Sequence, residues 1–291
     1  MKVCMVVLNY NNAPECLAFI QRLKDYEAWH QILLVDNCST DDSYQVFQES
    51  LAHESKVVLL QAKSNQGYAS GNNIGLRYGV EQLQAELLFL ANPDVFFTEE
   101  VVQELLAFYQ SHSSEKVGTI APVMLLPNRK WQNSAWKLPT FIDCLLATQV
   151  GLDKIANLRQ RYSKQPLAEK PLAVEVLPGS FFAISAQALR EVGYLDEGTF
   201  LYGEENILAH KLLKRGYVNY LLPKLQYLHQ HSTTISSQLK RREMFRIYHQ
   251  SLLYYVKNTL KVSRGRVLLF RIIASIGLVG RSGRERLRLN R

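Results

Sequence analysis

The sequence predicts an α/β protein built on a mostly parallel, doubly wound sheet, and three features of the chain lead there. Short β-branched or leucine-rich runs recur through the first half, longer stretches with helical periodicity separate them, and polar residues cluster just after each run. At 291 residues, with 47% hydrophobic and 21% charged residues, the chain is long enough for one large domain of this kind or two smaller ones.

The expected strands are Val3–Leu8, Ile32–Asp36, Lys56–Gln61, Leu87–Ala91 and Val117–Pro122. Between them, residues 14–26 place Cys16, Leu17, Ile20 and Leu23 on one helical face, and residues 98–111 do the same with Val101, Val102, Leu105, Leu106 and Tyr109. Pro14 suits a first helical turn, and Thr98 before Glu99 and Glu100 suits an N-cap with acids at the positive end of the helix dipole. Residues 127–172 carry little periodicity and are expected to form an excursion over the site. Beyond it, residues 177–193 predict a strand entering a helix, residues 204–217 a helix closed by Gly216, and residues 218–232 two short strands.

Four cysteines, Cys4, Cys16, Cys38 and Cys144, show no paired spacing, so neither a disulfide framework nor a zinc knuckle is indicated and a reducing compartment is expected. The opening "MKVCMVVLNYNN" has a short apolar run and no small-residue cleavage site, which favours a buried first strand over a signal peptide. The longest apolar stretch in the tail falls far short of the roughly 20 residues a spanning helix needs. Charge divides the chain: residues 240–291 hold 14 Lys plus Arg against two Glu, whereas residues 1–239 hold 20 against 24. The net charge of +8 therefore belongs to the tail, and the body is mildly acidic.

Ligands of doubly wound sheets bind beyond the carboxyl ends of the strands, so the residues after each run carry the functional reading. Asp36 ends a strand where a hydrogen bond to a base or ribose is favoured; Ser39 or Thr40 suits the next helix cap, and Asp41 and Asp42 suit its first turn. "NQGYASGNNIG" places glycines at 67, 71 and 75, which matches neither G-x-G-x-x-G nor a P-loop. It reads either as a turn with small residues for helix packing or as a loop letting Asn72 and Asn73 approach a nucleotide. Asp94, after Asn92 and Pro93 at a strand end, is either turn chemistry or a ligand for a hard divalent cation carrying phosphates. Glu204 and Glu205 at a helix start offer dipole compensation or a general base. His229 and His231, at period two before Ser232 and Thr233, share one strand face and are either structural or within reach of a metal or diphosphate.

In order, "VVLNYNN", "LLVDNCSTDDS", "NQGYASGNNIG", "LFLANPDV", "PGSFFAISAQALREVGYLDE", "FLYGEENILAHKLLKRGY" and "LHQHSTT" resemble the family 2 glycosyltransferases with their GT-A fold, over about residues 1–235. The branch they look most like is the rhamnosyltransferase-like group of bacterial surface-polysaccharide enzymes. The resemblance implies a catalytic domain at 1–236, with nucleotide-sugar binding in about 1–125 and the acceptor and catalytic part in about 173–235. It implies inverting transfer from a donor such as dTDP-rhamnose or a UDP-hexose to a glycan or polyprenyl-diphosphate-linked acceptor. Asn9 and Asn11 then fall in the first nucleotide-binding loop, Asp36 at the base or ribose contact, and Asn65, Gly67 and Asn72 in the second segment. Asp94 matches the last residue of the metal-binding Asp-x-Asp, which would hold Mg²⁺ or Mn²⁺, and Glu205 matches the acid that serves as base. Two departures stand out: Asn92 replaces the first Asp of the metal motif, leaving Asp94 with His229 or His231 as help, and Glu-Asp-x-Asp becomes Glu204, Glu205, Asn206, Ile207. The Gln-x-x-Arg-Trp of processive synthases is not matched, since Arg242 follows Gln238–Arg241; transfer of one sugar per acceptor is expected.

Residues 237–291 are expected to form a basic helical extension, with Lys261, Arg264, Arg271, Ser275 and Ser282 on one face and Leu268, Leu269, Ile272, Ile276 and Val279 elsewhere. Such a helix suits an anionic membrane surface and a cytoplasmic protein peripheral to the inner leaflet; the alternative is a helix packed on the catalytic domain, and Gly265, Gly277 and Gly280 weaken any helix. Two other classes fit less well. A sugar nucleotidyltransferase would want a basic, glycine-rich triphosphate loop near the N-terminus, and a nucleic-acid binder would want aromatics among the tail's arginines and a less acidic body. A sugar-binding relative without catalysis is left open by the two motif departures.

Overall fold

Nine strands in one sheet organise the computed structural model, which describes residues 1–149, 151–162, 169–230 and 241–289. They are β1 (Val3–Asn9), β2 (Gln31–Asp36), β3 (Val57–Gln61), β4 (Leu87–Ala91), β5 (Val95–Phe96), β6 (Val117–Leu125), β7 (Leu172–Val174), β8 (Phe181–Ser185) and β9 (Val218–His229). Their spatial order is β3-β2-β1-β4-β8-β6-β9-β5, with β7 pairing beside β9. The first four are parallel, as the alternation of strands and helices predicts. The second half is mixed: β8 runs antiparallel between β4 and β6, β9 is parallel to β6, and β5 and β7 oppose β9.

The chain reverses its direction of winding between β1 and β4, and a crevice at the carboxyl edge belongs at that switch point. It is bounded by Asn9 at the end of β1 and by Asn92 and Asp94 just after β4.

Helices cover both faces. Helices α1 (Ala13–Leu23), α2 (Ser43–Ser50) and α4 (Glu99–Ser111) bury Phe19, Phe47 and Leu105 with Val3, Met5 and Val7 of β1. On the other face α3 (Tyr68–Arg77), α7 (Ala186–Val192) and α8 (Glu204–Lys214) bury Leu76, Leu189 and Leu208 with Cys4 and Val6. The period-two alternation along β1 thus feeds two apolar layers, which is why its run is apolar almost throughout.

Three details depart from the sequence expectations. The two short strands expected in residues 218–232 are one strand, β9, whose pairing with β6 shifts between Leu222 and Gln226. Pro223 has no N–H for the ladder, so the strand bulges there without ending. Thr98 does hold the N-cap of α4 in extended backbone, yet its hydroxyl makes no capping hydrogen bond. The cap of α2 lies at Asp42 and not at Ser39 or Thr40, with Asp41 Oδ1 accepting the Ser43 N–H at 3.0 Å.

The excursion contains α5 (Phe141–Ala147), opened by a capping box between Thr140 and Asp143, and α6 (Asp153–Gln160). The tail forms α9 (Arg241–Tyr254), continued by a wider turn over Tyr255–Thr259, and α10 (Arg264–Leu289). A third apolar cluster joins Cys144 of α5, Ile207 of α8, Leu252 of α9, Tyr255 and Val256 just after it, and Phe270 and Ala274 of α10. One face of the tail is therefore packed on the body. Lys261 lies before α10 and not on its face. Gly277 does not weaken the helix: a Cβ there would lie 2.1 Å from the Thr148 carbonyl oxygen, so the glycine permits α10 to cross the end of α5. Among the described residues, no helix is long and apolar enough to cross a membrane.

Candidate functional site

The loops after β1 and β2 hold each other. Asn9 donates from Nδ2 to Asp36 Oδ1 at 2.9 Å and to Ser39 Oγ at 3.1 Å, while its Oδ1 accepts from the Asn12 N–H at 3.2 Å. Asp36 is fully buried, and its Oδ2 accepts the Ser39 N–H at 3.0 Å. Asn11, in left-handed backbone at φ +53°, exchanges two hydrogen bonds with Thr40, at 3.0 and 2.8 Å. The network continues through Asn37, whose Nδ2 donates to Asn65 Oδ1 at 3.1 Å; the same oxygen accepts the Gly67 N–H at 3.0 Å. Asn9, Asn11, Asp36, Asn65 and Gly67 are thus brought into one connected loop system at the carboxyl edge.

The glycine-rich segment divides by role. Gly67 has φ +104°, and a Cβ there would meet the Phe200 carbonyl oxygen at 2.2 Å, so this glycine makes a close approach of two loops. Gly71 and Gly75 face the sheet, where a Cβ would lie 2.6 Å from Leu8 Cδ1 and from Val6 Cγ1 respectively. Their spacing of four is helix packing. Asn73 is not held for a nucleotide: it is buried, donates to Leu195 O and Glu197 Oε1, and accepts the Leu195 N–H. Asn72 is buried too and donates back to the Tyr68 carbonyl at 2.9 Å.

Pairing of β5 with β9 sets Val95 opposite His229 and so brings Asp94 to the histidine. Asp94 Oδ2 lies 3.2 Å from His229 Nε2, and both side chains are largely buried. His229 Nδ1 faces Met124 Sδ at 3.3 Å. His231 lies outside the described residues. No group of three or more His, Cys, Asp or Glu gathers as a cation cage among the described residues. Asp94 and His229 therefore fit a cation that takes one carboxylate and one imidazole from the protein and its other ligands from phosphate oxygens, the usual arrangement for a metal–nucleotide site.

Tyr68, which the sequence reading did not single out, joins the two halves of the site. Its hydroxyl donates between Asn92 Oδ1 at 3.0 Å and the Gly179 carbonyl at 2.9 Å. Burial raises its pKa well above the usual phenol range, and the charges of Glu204, Glu205 and Asp94 add to the effect. Three acidic side chains thus act on one phenol. Asn92, where the family pattern has Asp, serves this phenol as acceptor without adding a further negative charge.

Gly203, in left-handed backbone at φ +86°, opens α8 and is preceded by Tyr202 at φ +73°. Two such residues in succession turn the chain sharply into the helix and set Glu204 and Glu205 side by side. Burial first, and then the charge of Glu205, pushes Glu204 up to about 8 from an ordinary 4.5. Glu205 is raised as well, by burial, with hydrogen bonds from backbone N–H groups opposing the rise. Glu204 Oε2 is buried with no hydrogen-bond partner.

Glu205 lines a cavity of about 630 Å³, walled by Trp131, Trp136, Asn133, Asn206, Tyr202 and Tyr248 among others. Trp136 donates from Nε1 to Asn206 Oδ1 at 2.8 Å, locking the excursion against α8. Trp131 Nε1 and Asn133 Oδ1 are buried and have no partner. The excursion over the site that the sequence predicts supplies Trp131 and Trp136, but sequence reasoning did not join them to Tyr248 as one wall. Trp131, Trp136 and Tyr248 are separated by up to 117 residues, and no local period connects them.

A sheet that is parallel in its first half and mixed in its second, flanked by helices on both faces, is the GT-A-like fold. The chain belongs to glycosyl transferase family 2, which it matches over residues 3–193. Among curated relatives, it is 26% identical over 201 residues to the low-salt glycan biosynthesis hexosyltransferase Agl10 of Haloferax volcanii, covering 69% of this chain and 58% of that protein. It is 27% identical over 240 residues to the N-acetylglucosaminyl-diphospho-decaprenol L-rhamnosyltransferase of Mycobacterium tuberculosis, covering 79% and 76%. Among solved structures, the mannosyltransferase PcManGT of Pyrobaculum calidifontis, in complex with GDP-Man and Mn²⁺, superposes with a TM-score of 0.57 at 14% identity, covering 97% of this chain and 75% of that one.

Proposed function

We propose that this protein transfers a single sugar, with inversion, from a nucleotide-sugar donor such as dTDP-rhamnose or a UDP-hexose to a saccharide acceptor, free or polyprenyl-diphosphate-linked. The observation that carries the reading is the cavity at Glu205. Its aromatic rings suit the apolar faces of a sugar, and its unpaired Trp131 Nε1 and Asn133 Oδ1 suit sugar hydroxyls, which both donate and accept. Names of relatives that move hexose or rhamnose in glycan assembly support the substrate class.

Glu205 takes the proton from the acceptor hydroxyl, and the oxygen's electron pair forms the new bond to the anomeric carbon. The bond from that carbon to the nucleoside diphosphate breaks, and its electrons leave with the diphosphate. A carboxylate raised above its ordinary range is a stronger base when ionised, which favours this step. Asp94 and His229 would hold Mg²⁺ or Mn²⁺, which when bound offsets negative charge on the diphosphate. Tyr68 and Asn92 orient the edge between donor and acceptor. Burial and the charge of Glu205 favour the protonated form of Glu204, so the pair shares its charge with Glu205 as the member aimed at the cavity.

The test is a panel of dTDP-rhamnose, UDP-galactose, UDP-glucose and UDP-N-acetylglucosamine with Mn²⁺ or Mg²⁺, read as donor binding and nucleoside diphosphate release. One donor is expected to bind and turn over in the wild type, and to bind without turnover in Glu205→Gln. Absence of binding to every donor would remove the reading, and normal turnover by Glu205→Gln would remove the base assignment.

A further inference from the structure

Among the described residues, ten large hydrophobic side chains are exposed, and eight of them fall on or at the start of three helices, of which α5 touches both α6 and α10. Ile142 lies on α5, Leu152, Ile155 and Leu158 lie at the start and along α6, and Leu268, Leu269, Ile272 and Ile276 lie on α10. Leu158 is 67% exposed and also lines the Glu205 cavity, so the apolar surface reaches the cavity's mouth. Scattered exposed leucines need no explanation, but a cluster of this kind marks an interaction surface.

Helix α10 shows why the cluster is not left over from packing. Phe270, Ala274 and Gly277 face the body, and Gln149 Nε2 donates to the Ile273 carbonyl at 2.7 Å, so one side of the helix is fully engaged. Leu268, Ile272 and Ile276 repeat every four residues on the opposite side, 53–63% exposed, with Leu269 beside them. Burying this helix against the body needs only the first stripe. The second has no partner in the described chain.

Charge selects the occupant. Arg264 and Arg271 flank the exposed stripe on one side by helical spacing, Arg266 flanks it on the other with its guanidinium 5.9 Å from the Phe141 ring, and no acid interrupts residues 264–278. Residues 240–291 carry 14 basic residues against two acidic ones. A second copy of this chain would bring the same positive tail to the contact, whereas an anionic lipid leaflet offers acyl chains to the leucines and isoleucines and phosphates to the arginines.

We propose that the exposed faces of α5, α6 and α10 dock this protein on an anionic lipid leaflet, with Leu268, Ile272 and Ile276 entering the acyl boundary and Arg264, Arg266 and Arg271 meeting headgroup phosphates. The sequence suggested a basic helix lying on lipid; the structure adds that its apolar stripe does the inserting and that α5 and α6 extend the surface to the cavity mouth. That placement rests on the proposed acceptor cavity and presents it to a saccharide carried on a lipid-embedded polyprenyl diphosphate.

Flotation of the full-length protein with phosphatidylcholine vesicles, with and without phosphatidylglycerol, tests it. Wild type is expected to float with the phosphatidylglycerol vesicles and to be released as salt rises. Leu268→Ser/Ile272→Ser/Ile276→Ser should weaken binding at least about tenfold, which corresponds to ~1.4 kcal/mol. Arg264→Glu/Arg271→Glu should abolish the preference for phosphatidylglycerol. Both variants change exposed positions, and donor binding is expected to match wild type. Wild type that fails to float, or a triple variant that floats equally well, overturns the proposal. So does a concentration-dependent dimer that the triple variant dissociates in the absence of flotation. Donor binding is read on the same samples, so loss of flotation with donor bound, or flotation without donor binding, separates this proposal from the catalytic reading.

Discussion

Around Asn9 and Asp36 most polar side-chain atoms are held within their own loops, Asn37 Oδ1 and Ser43 Oγ excepted, whereas around Glu204 and Glu205 the cavity wall itself carries buried, unpaired polar atoms. The donor-side loops come from residues close in sequence to a strand end, and each hydrogen bond shortens the list of conformations the loop can adopt. The cavity at Glu205 is built by segments from four parts of the chain; Trp131 Nε1 and Asn133 Oδ1 of its wall have no partners, and neither has Oε2 of the neighbouring Glu204. Buried polar groups without partners are costly. A half held together largely by its own hydrogen bonds thus faces a half whose cavity wall still offers polar atoms to a ligand. The raised carboxyls mark the same region, because burial there disfavours charge by more than the backbone hydrogen bonds offset.

The largest effect that would sharpen this contrast is on the reactive half. Glu205→Gln should lower kcat by roughly 10²–10⁴-fold while leaving the donor affinity and the thermal midpoint near wild type, as read by diphosphate release, donor titration and calorimetry. Next comes Asp94→Ala, which removes the carboxylate that His229 faces at 3.2 Å. A loss of about 10²-fold in kcat/KM is expected, with metal-dependent donor binding weakened and chelation of the metal reducing wild type to a similar level.

The hydrogen-bonded half should break through stability. Gly67→Ala forces a Cβ against the Phe200 carbonyl at a φ of +104° and should cost on the order of 1–3 kcal/mol, seen as a lower thermal midpoint together with weaker donor binding. Titration gives the next contrast. Glu204 holds its proton up to about 8 in the folded state against 4.5 ordinarily, so the folded state binds more protons in that window and stability must fall as pH rises through it. Glu204→Gln has no proton to lose, so its melting temperature should exceed that of wild type by a margin that widens from pH 4.5 to pH 8. The smallest effect is at the junction: Tyr68→Phe leaves Asn92 Oδ1 and the Gly179 carbonyl without their donor and should destabilise by about 1–2 kcal/mol, with only a several-fold loss of turnover.

Much of the donor half was legible in the chain. Asp36 and Asp94 follow apolar runs, and the rule that ligands gather beyond parallel strand ends directs attention to them without knowledge of packing. Other features were not legible for physical reasons. β5 and β7, of two and three residues, are too short to show a period, although β5 carries the pairing that joins Asp94 to His229. Residues 218–232 read as two short strands because local reading does not see the partner strand, which tolerates a bulge at Pro223. Gly71 and Gly75 read equally as a binding loop and as packing until the distance of each Cβ from β1 chose packing. The tail read as basic and amphipathic, but its two opposed apolar stripes became distinct only when Phe270 and Ala274 were found against the body.

The sequence by itself determined the alternating α/β order, the family, the placement of acids and amides at strand and helix ends, and the concentration of positive charge in the tail. These follow from composition and local periodicity, which act over a few residues. Only the tertiary structure decided which of those groups share a site. Tyr68 lies amid Asp94, Glu204 and Glu205, the excursion's tryptophans wall the cavity beside Glu205, and eight exposed apolar side chains gather on α5, α6 and α10. Those associations depend on strand order and helix crossings between residues far apart in the chain, and burial, which then sets the carboxyl pKa values, exists only once the layers have closed.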